Sequence, residues 1–441
     1  MNAIKKEHLD ELLKVYKEDR ASTIARHAVS NTDIASAAFS RDTSKEMDFN
    51  FSVDVKTMSV TNQKASGRCW IFAATNVLRE MIAKECNMKE FELSQSFVAF
   101  YDKLEKLNYT LEAIIELIDV DYDDRTLQFL VQNGIGDGGQ WDMFVNVVKK
   151  YGVCPKNAYI ETFTSSNTRY INQLVNAELR RFASESRQVL KEKGLEAVRE
   201  LKESYVDRFY RALVSCYGLP PEQFDFEYVD KDDKYHLEKG FTPKSFFDKF
   251  VGSKIDEYVS IINAPTKSKP FGKSYTVKYL GNVAGGKPVT HLNVEMSRLK
   301  ELVIAQLKDN QIVWFGSDVS FYRDSNLGVW DNNSFDFKSL LDLDVKMDKG
   351  EALDFRCSQM NHAMCITGVN LVDGVPTKWK IENSWGETGR KGFYMMSASF
   401  FDLYTFQAVV NKKYLTAEEL KAYEAKPIEL KPWDPMGSLA D

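Results

Sequence analysis

The sequence predicts an α+β protein, helical through its first half and strand-rich in its last third. Apolar residues recur at helical spacing from Cys69 to Asn87 and again from 171 to 216. The last third changes to short runs, Ile312 to Phe315, Ala363 to Val369 and Lys378 to Ile381, separated by Gly, Asn and Asp, which is strand and turn chemistry. A length of 441 residues exceeds the usual single domain, so two or three packed units are expected.

Ile4, Leu9, Leu12, Leu13 and Tyr16 predict an amphipathic N-terminal helix packed on the rest of the chain. Trp70, Ile71, Phe72, Ala73 and Ala74, continuing through Val77, Leu78, Met81 and Ile82, predict a largely buried helix with Cys69 at its start. From 171 to 216, Leu174, Leu179, Phe182, Leu190, Val198, Leu201, Phe209 and Leu213 predict two helices broken near Gly194 and ended by Pro220 and Pro221. Phe224, Phe226 and Tyr228 alternate with Asp225 and Glu227 as in a half-exposed strand. Thr242 and Pro243 fit the cap and first position of another helix, and Thr416 with Glu419 forms a capping box. A proline-bearing tail runs from Pro427 to Asp441.

A formal charge of -6, from 58 basic and 64 acidic residues, provides no global attraction for nucleic acid or an anionic membrane. The first twenty residues interleave charges with apolar side chains, unlike a secretory signal, and no run of 18 apolar residues occurs. Six cysteines stand without paired spacing or CxxC, so neither a zinc site nor a disulfide framework is expected, and most should be buried small apolar residues. Reduced thiols fit a cytoplasmic address. No cofactor is called for.

Gln63-Lys64-Ala65-Ser66-Gly67-Arg68-Cys69-Trp70 places a cysteine at a helix start, where the dipole and free amides stabilise a thiolate. Downstream come Asn361-His362-Ala363-Met364 and Glu382-Asn383-Ser384-Trp385-Gly386. A buried helix cysteine, a core histidine and a turn asparagine would each be ordinary alone. In this order, with these neighbours, the blocks resemble those of papain-like cysteine peptidases, and Gly-Arg-Cys-Trp is similar to the bleomycin hydrolase and aminopeptidase C branch. The usual Cys-Gly-Ser/Ala-Cys-Trp/Tyr pattern keeps only Cys69-Trp70 here, without the upstream cysteine.

That resemblance implies a papain-like fold and a Cys-His-Asn thioester mechanism. Cys69 would be the nucleophile, His362 the acid and base, and Asn383 the group that orients His362, with Trp385 shielding that contact from water. Gln63, six positions before Cys69, would supply the side-chain donor of the oxyanion hole. Gly138 and Gly139, in Gly134-Ile135-Gly136-Asp137-Gly138-Gly139-Gln140-Trp141, resemble the strip that lines the substrate cleft, where glycine lets an extended peptide pair with backbone. His8, His27, His236 and His291 lack such neighbours and are expected to be structural.

His362 follows Cys69 by 293 positions (362 less 69), about 150 more than papain relatives need. The expected division is therefore 1–164 with the nucleophile, a helical and hairpin insertion at 165–290, a strand-rich part at 291–426 with His362 and Asn383, and an arm at 427–441. The resemblance also implies peptide substrates and a homohexamer with active sites facing an internal channel. The tail resembles a C-terminal arm whose final carboxylate, at Ala440 or Asp441, meets the substrate's free amino group. Such an arm is expected to end near Ala440, so Asp441 is either trimmed or adds a second carboxylate. The favoured activity is an intracellular cysteine aminopeptidase. An endopeptidase on the same scaffold, or a nucleic-acid-binding assembly of the bleomycin hydrolase kind, is the alternative.

Overall fold

Residues 1–43 and 48–439 are described by a computed structural model of the chain; Ala440 and Asp441 lie outside them. The predicted core helix spans Cys69–Glu85, with Trp70, Ile71, Phe72, Ala74, Leu78 and Ile82 fully enclosed. A helix apolar on every side needs partners all round. The helices Gln95–Glu116 and Trp141–Tyr151 supply them on one side and the strand His362–Val372 on the other. The mixed layers make the fold α+β.

The His362–Val372 strand runs antiparallel between Val313–Ser317 and Val375–Glu382 in a twelve-stranded sheet. The Val375–Glu382 strand alternates, burying Trp379 and Ile381 while Lys378 and Lys380, on the opposite face, are half-buried and pair with Asp48 and Asp54. Its register puts Glu382 opposite Cys365, so Asn383 leaves the strand close to where His362 enters its own.

The segment Arg169–Tyr217 is helical except at Gly194, whose φ of 81° suits glycine. The chain reverses there. Phe182 meets Tyr205 edge-on at 5.1 Å, and the Tyr205 hydroxyl donates to Glu185 at 2.7 Å, so the two expected helices pack as an antiparallel pair. The hairpin Phe224–Val229 with Tyr235–Phe241 follows, then the helix Pro243–Phe250 with a full capping box at Thr242. Tyr258–Ile262 and Lys273–Val277, however, hydrogen-bond into the main sheet, so a boundary at 290 cuts through it. Their membership is set by partners such as Thr405–Asn411, far away in the chain.

The N-terminal region departs from expectation. The helices Lys6–Glu18 and Arg20–Val29 form, but neither has a buried residue, and Leu9, Leu12 and Leu13 are each 51% exposed. Amphipathic spacing specifies a helix but does not provide the surface that would cover it.

The tail is anchored. Ile428–Leu430 adds a parallel strand to Lys273–Val277, and Pro435 and Met436 are buried. Arg125 lies 3.8 Å over the Trp433 ring, Phe129 meets its edge, and Arg356 donates to the Trp433 carbonyl.

Candidate active site

Cys69 opens its helix with no side-chain cap, so the first-turn amides and the positive dipole end face the thiol region. The loop before it is held from several directions. Gly67 donates its amide to Asp137 at 3.0 Å, and the buried Arg68 pairs with Glu161 at 3.1 Å. The Ala363 amide donates to the Cys69 sulfur at 3.5 Å, which sets that sulfur beside the His362 strand.

His362 Nε2 lies 2.9 Å from Asn383 Oδ1, and both residues are buried. The Ser384 amide also donates to Oδ1, at 2.8 Å, which fixes the Asn383 amide orientation. Oδ1 only accepts, so Nε2 carries the proton and Nδ1 is left with a free lone pair. Trp385 stacks on the imidazole at 4.7 Å, and Arg323 lies 4.9 Å over the Trp385 ring. Burial holds the His362 pKa down at about 4; the Asn383 hydrogen bond opposes this and Arg323 reinforces it. A neutral ring beside a thiol is a base in waiting, and a neighbouring thiolate would raise its proton affinity.

Gln63 is buried, and its amide is oriented by two contacts. Nε2 donates to the Ser66 carbonyl at 2.7 Å, while Oε1 accepts from the Ser384 hydroxyl at 2.6 Å. The Gln63 amide also donates to the Ser384 carbonyl at 2.8 Å. One Nε2 hydrogen remains for an incoming oxygen. Ser384 thus holds both Gln63 and Asn383.

Gly138 and Gly139 lie against the same helix. Lys106 grips the Gly138 carbonyl at 2.6 Å, and the Trp70 indole donates to the Asp137 carbonyl at 2.7 Å. A Cβ on Gly139 would sit 2.5 Å from the Trp70 ring, so close packing requires glycine there. Asp137 is held well below the usual carboxylate range, its burial outweighed by Lys103 and by donors from Thr168 and Gly67. A cavity of about 420 Å³ lies between this strip, the arm residues 432–439 and the segment before His362.

Several contributors were not apparent from sequence. Arg79 and Glu382 form a buried ion pair at 2.9 Å, and Asn76 donates to the same Glu382 oxygen at 2.9 Å, clamping the Cys69 helix to the residue before Asn383. Asn361, next to His362, donates to the buried Asp318 at 2.7 Å, which also accepts from Ser358 at 2.7 Å. Asn361 and Glu382 stand inside the motif blocks, but their partners are too distant in sequence for spacing to reveal.

The other cysteines form no disulfide; Cys86, Cys154 and Cys365 are buried, as expected of most, while Cys216 is half-buried and Cys357 is exposed. Burial pushes the Cys154 and Cys365 thiols up, the opposite of a reactive setting. His236 pairs with Asp230 and His291 with Ser260, each at 2.7 Å.

The family model described as the Peptidase C1-like family matches residues 3–437. The chain belongs to the peptidase C1-like family. Within it, the chain is 46% identical to an aminopeptidase C of Streptococcus thermophilus, with both chains covered completely. It is 47% identical to an aminopeptidase C of Lactobacillus delbrueckii subsp. lactis, over 95% of this chain and 94% of that one. Among solved structures, PepW from Lactobacillus rhamnosis matches with a TM-score of 0.96 and 44% identity, over 99% of each chain.

Proposed function

We propose that this chain is a cysteine aminopeptidase that removes N-terminal residues from peptides. The observation that carries the reading is the His362–Asn383 pair set beside the Cys69 sulfur, with an anchored arm at the same cleft. Similarity to aminopeptidase C proteins along the whole chain supports it.

Cys69 attacks the scissile carbonyl as its proton passes to Nδ1 of His362. The spare Nε2 hydrogen of Gln63 and the Cys69 amide take the oxyanion. The C–N bond breaks as His362 returns the proton to the leaving amine. Water, deprotonated by His362, then attacks the thioester, releasing the acid and restoring the thiol. Asn383 keeps Nε2 protonated throughout, so Nδ1 is always the working nitrogen.

Selection of free N-termini is assigned to the arm. On this reading a carboxylate of Ala440 or Asp441, residues outside the described ones, would meet the substrate ammonium; at about 4 Å and an effective dielectric near 20 the attraction is at most about 4 kcal/mol before desolvation. Gly138 and Gly139 receive the peptide backbone. Exposed apolar faces on the two N-terminal helices support self-association, with the homohexamer of bleomycin hydrolase-like proteins as the assembly. The free cysteines support a cytoplasmic location. The proposed division is 1–164, 165–290, 291–426 and 427–441, with the strands Tyr258–Ile262 and Lys273–Val277 of the second part joining the main sheet. Endopeptidase and nucleic-acid-binding readings are not favoured.

The test is mass spectrometry of products from one short peptide, free and N-acetylated. Stepwise loss of single residues from the free peptide alone is expected, and deletion of 437–441 should open the acetylated peptide to cleavage. Internal cuts by the intact enzyme would overturn the exopeptidase reading.

A further inference from the structure

The strip beside Trp70 continues into Gln140, which is 1% exposed and precedes the helix Trp141–Tyr151. Its Nε2 donates to the Ser438 carbonyl of the arm at 2.7 Å. Its Oε1 is buried and has no partner among the described residues. Upstream, the arm is held at Trp433 and by the pair of Asp434 with the buried Lys269 at 3.1 Å. Beyond Met436 these anchors give way to backbone hydrogen bonds from Gly437 and Ser438 within the arm and to the packing of Leu439 on the core. Among the described residues, Gln140 gives the one side-chain hydrogen bond to residues 437–439.

We propose that Gln140 sets the register of the C-terminal arm against the cleft and thereby determines how many substrate residues fit on the amino side of the scissile bond. This rests on the aminopeptidase reading and assigns its specificity to a residue outside the arm. A rigid series of contacts supports it. Trp70 follows the nucleophile, its indole holds the Asp137 carbonyl, its ring packs on Gly139, and Lys106 clamps Gly138 between them. Gln140 is therefore fixed relative to Cys69, and the arm is fixed relative to Gln140. A fixed arm excludes a second residue on the amino side; a loosened one admits it.

Gln140 does not touch the reacting atoms, so it is a positioning residue, and its removal should change which substrates are cut more than the reactivity of the thiol. Gln140→Met keeps the length and apolar stem but lacks the donor. Losing the unpartnered Oε1 offsets part of the lost bond, so the fold should hold. Gln140→Asn is a second variant, one carbon too short to reach Ser438.

For either variant, kcat/KM on a free-amino peptide should fall about tenfold, the worth of one hydrogen bond near the upper end of its usual range. The N-acetylated peptide should become a measurable substrate, while iodoacetamide labels Cys69 at the wild-type rate. In a chain lacking 437–441, Gln140→Met should change nothing further. If both variants match the wild type while the deletion alters specificity, the register role is overturned and the arm reading stands. If the deletion leaves specificity intact, the arm reading itself fails. Alkylation slowed as much as peptide hydrolysis would show that Gln140 acts through the nucleophile, and would also overturn the proposal.

Discussion

Replacing Arg79 by Met tests whether the two halves of the site are held together by its ion pair with Glu382. The charged groups lie 2.9 Å apart, with side-chain exposures of 2% and 0%. Breaking one side of such a pair leaves an uncompensated buried charge, so Arg79→Met should cost about 3 to 5 kcal/mol at pH 8. The loss should be pH-dependent in a definite direction. Burial raises the Glu382 pKa and Arg79 is the largest opposing influence, so the substitution raises it further. A group whose folded pKa lies above its unfolded value contributes stability below the unfolded value, and loses it as pH rises through the folded one. The deficit should therefore shrink as the pH is lowered from 8 to 5.5, the direction in which a raised carboxyl pKa favours the neutral form. Urea unfolding of both proteins at the two pH values measures the difference, in which the other titrating groups cancel. Replacing both partners, Arg79→Met with Glu382→Leu, should recover much of the loss. A deficit below about 1 kcal/mol at pH 8, or one that does not shrink on acidification, would refute the reasoning.

Cys69→Ala should abolish peptide hydrolysis with the fold retained, and iodoacetamide should label Cys69 before the exposed Cys357; unchanged turnover would end the thioester mechanism. Gln63→Ala should lower kcat by about 100- to 1,000-fold with little change in KM, read by steady-state kinetics. Burial holds the His291 pKa at about 4, with Lys287 contributing, so the folded protein binds fewer protons than the unfolded chain between there and about 6.5. That contribution, about 3 kcal/mol, is present above pH 6.5 and is lost as pH falls toward 4. His291→Gln should accordingly flatten the urea midpoint between pH 7 and 4.5.

Local pattern accounts for much that was readable in advance. The helix at Cys69, the break at Gly194, the caps at Thr242 and Thr416, the strand opened by His362 and the strand that ends just before Asn383 all follow from spacing within a few residues. The Cys, His and Asn blocks were legible because each carries its own neighbours.

What the sequence by itself determined is therefore the candidate residues and the type of element carrying or flanking each one. Tertiary structure alone decided which of them meet. Asn383 faces His362 because two strands pair in one register, and Ser384 orients Gln63 across a gap of more than 300 residues. Arg79 finds Glu382, and Gln140 finds Ser438, over separations of similar length. The same limit left the N-terminal helices without a buried residue and drew Tyr258–Ile262 into the main sheet. The physical reason is that backbone periodicity is governed by near neighbours, whereas these contacts depend on how whole layers pack and on the cost of leaving a buried polar group unpaired.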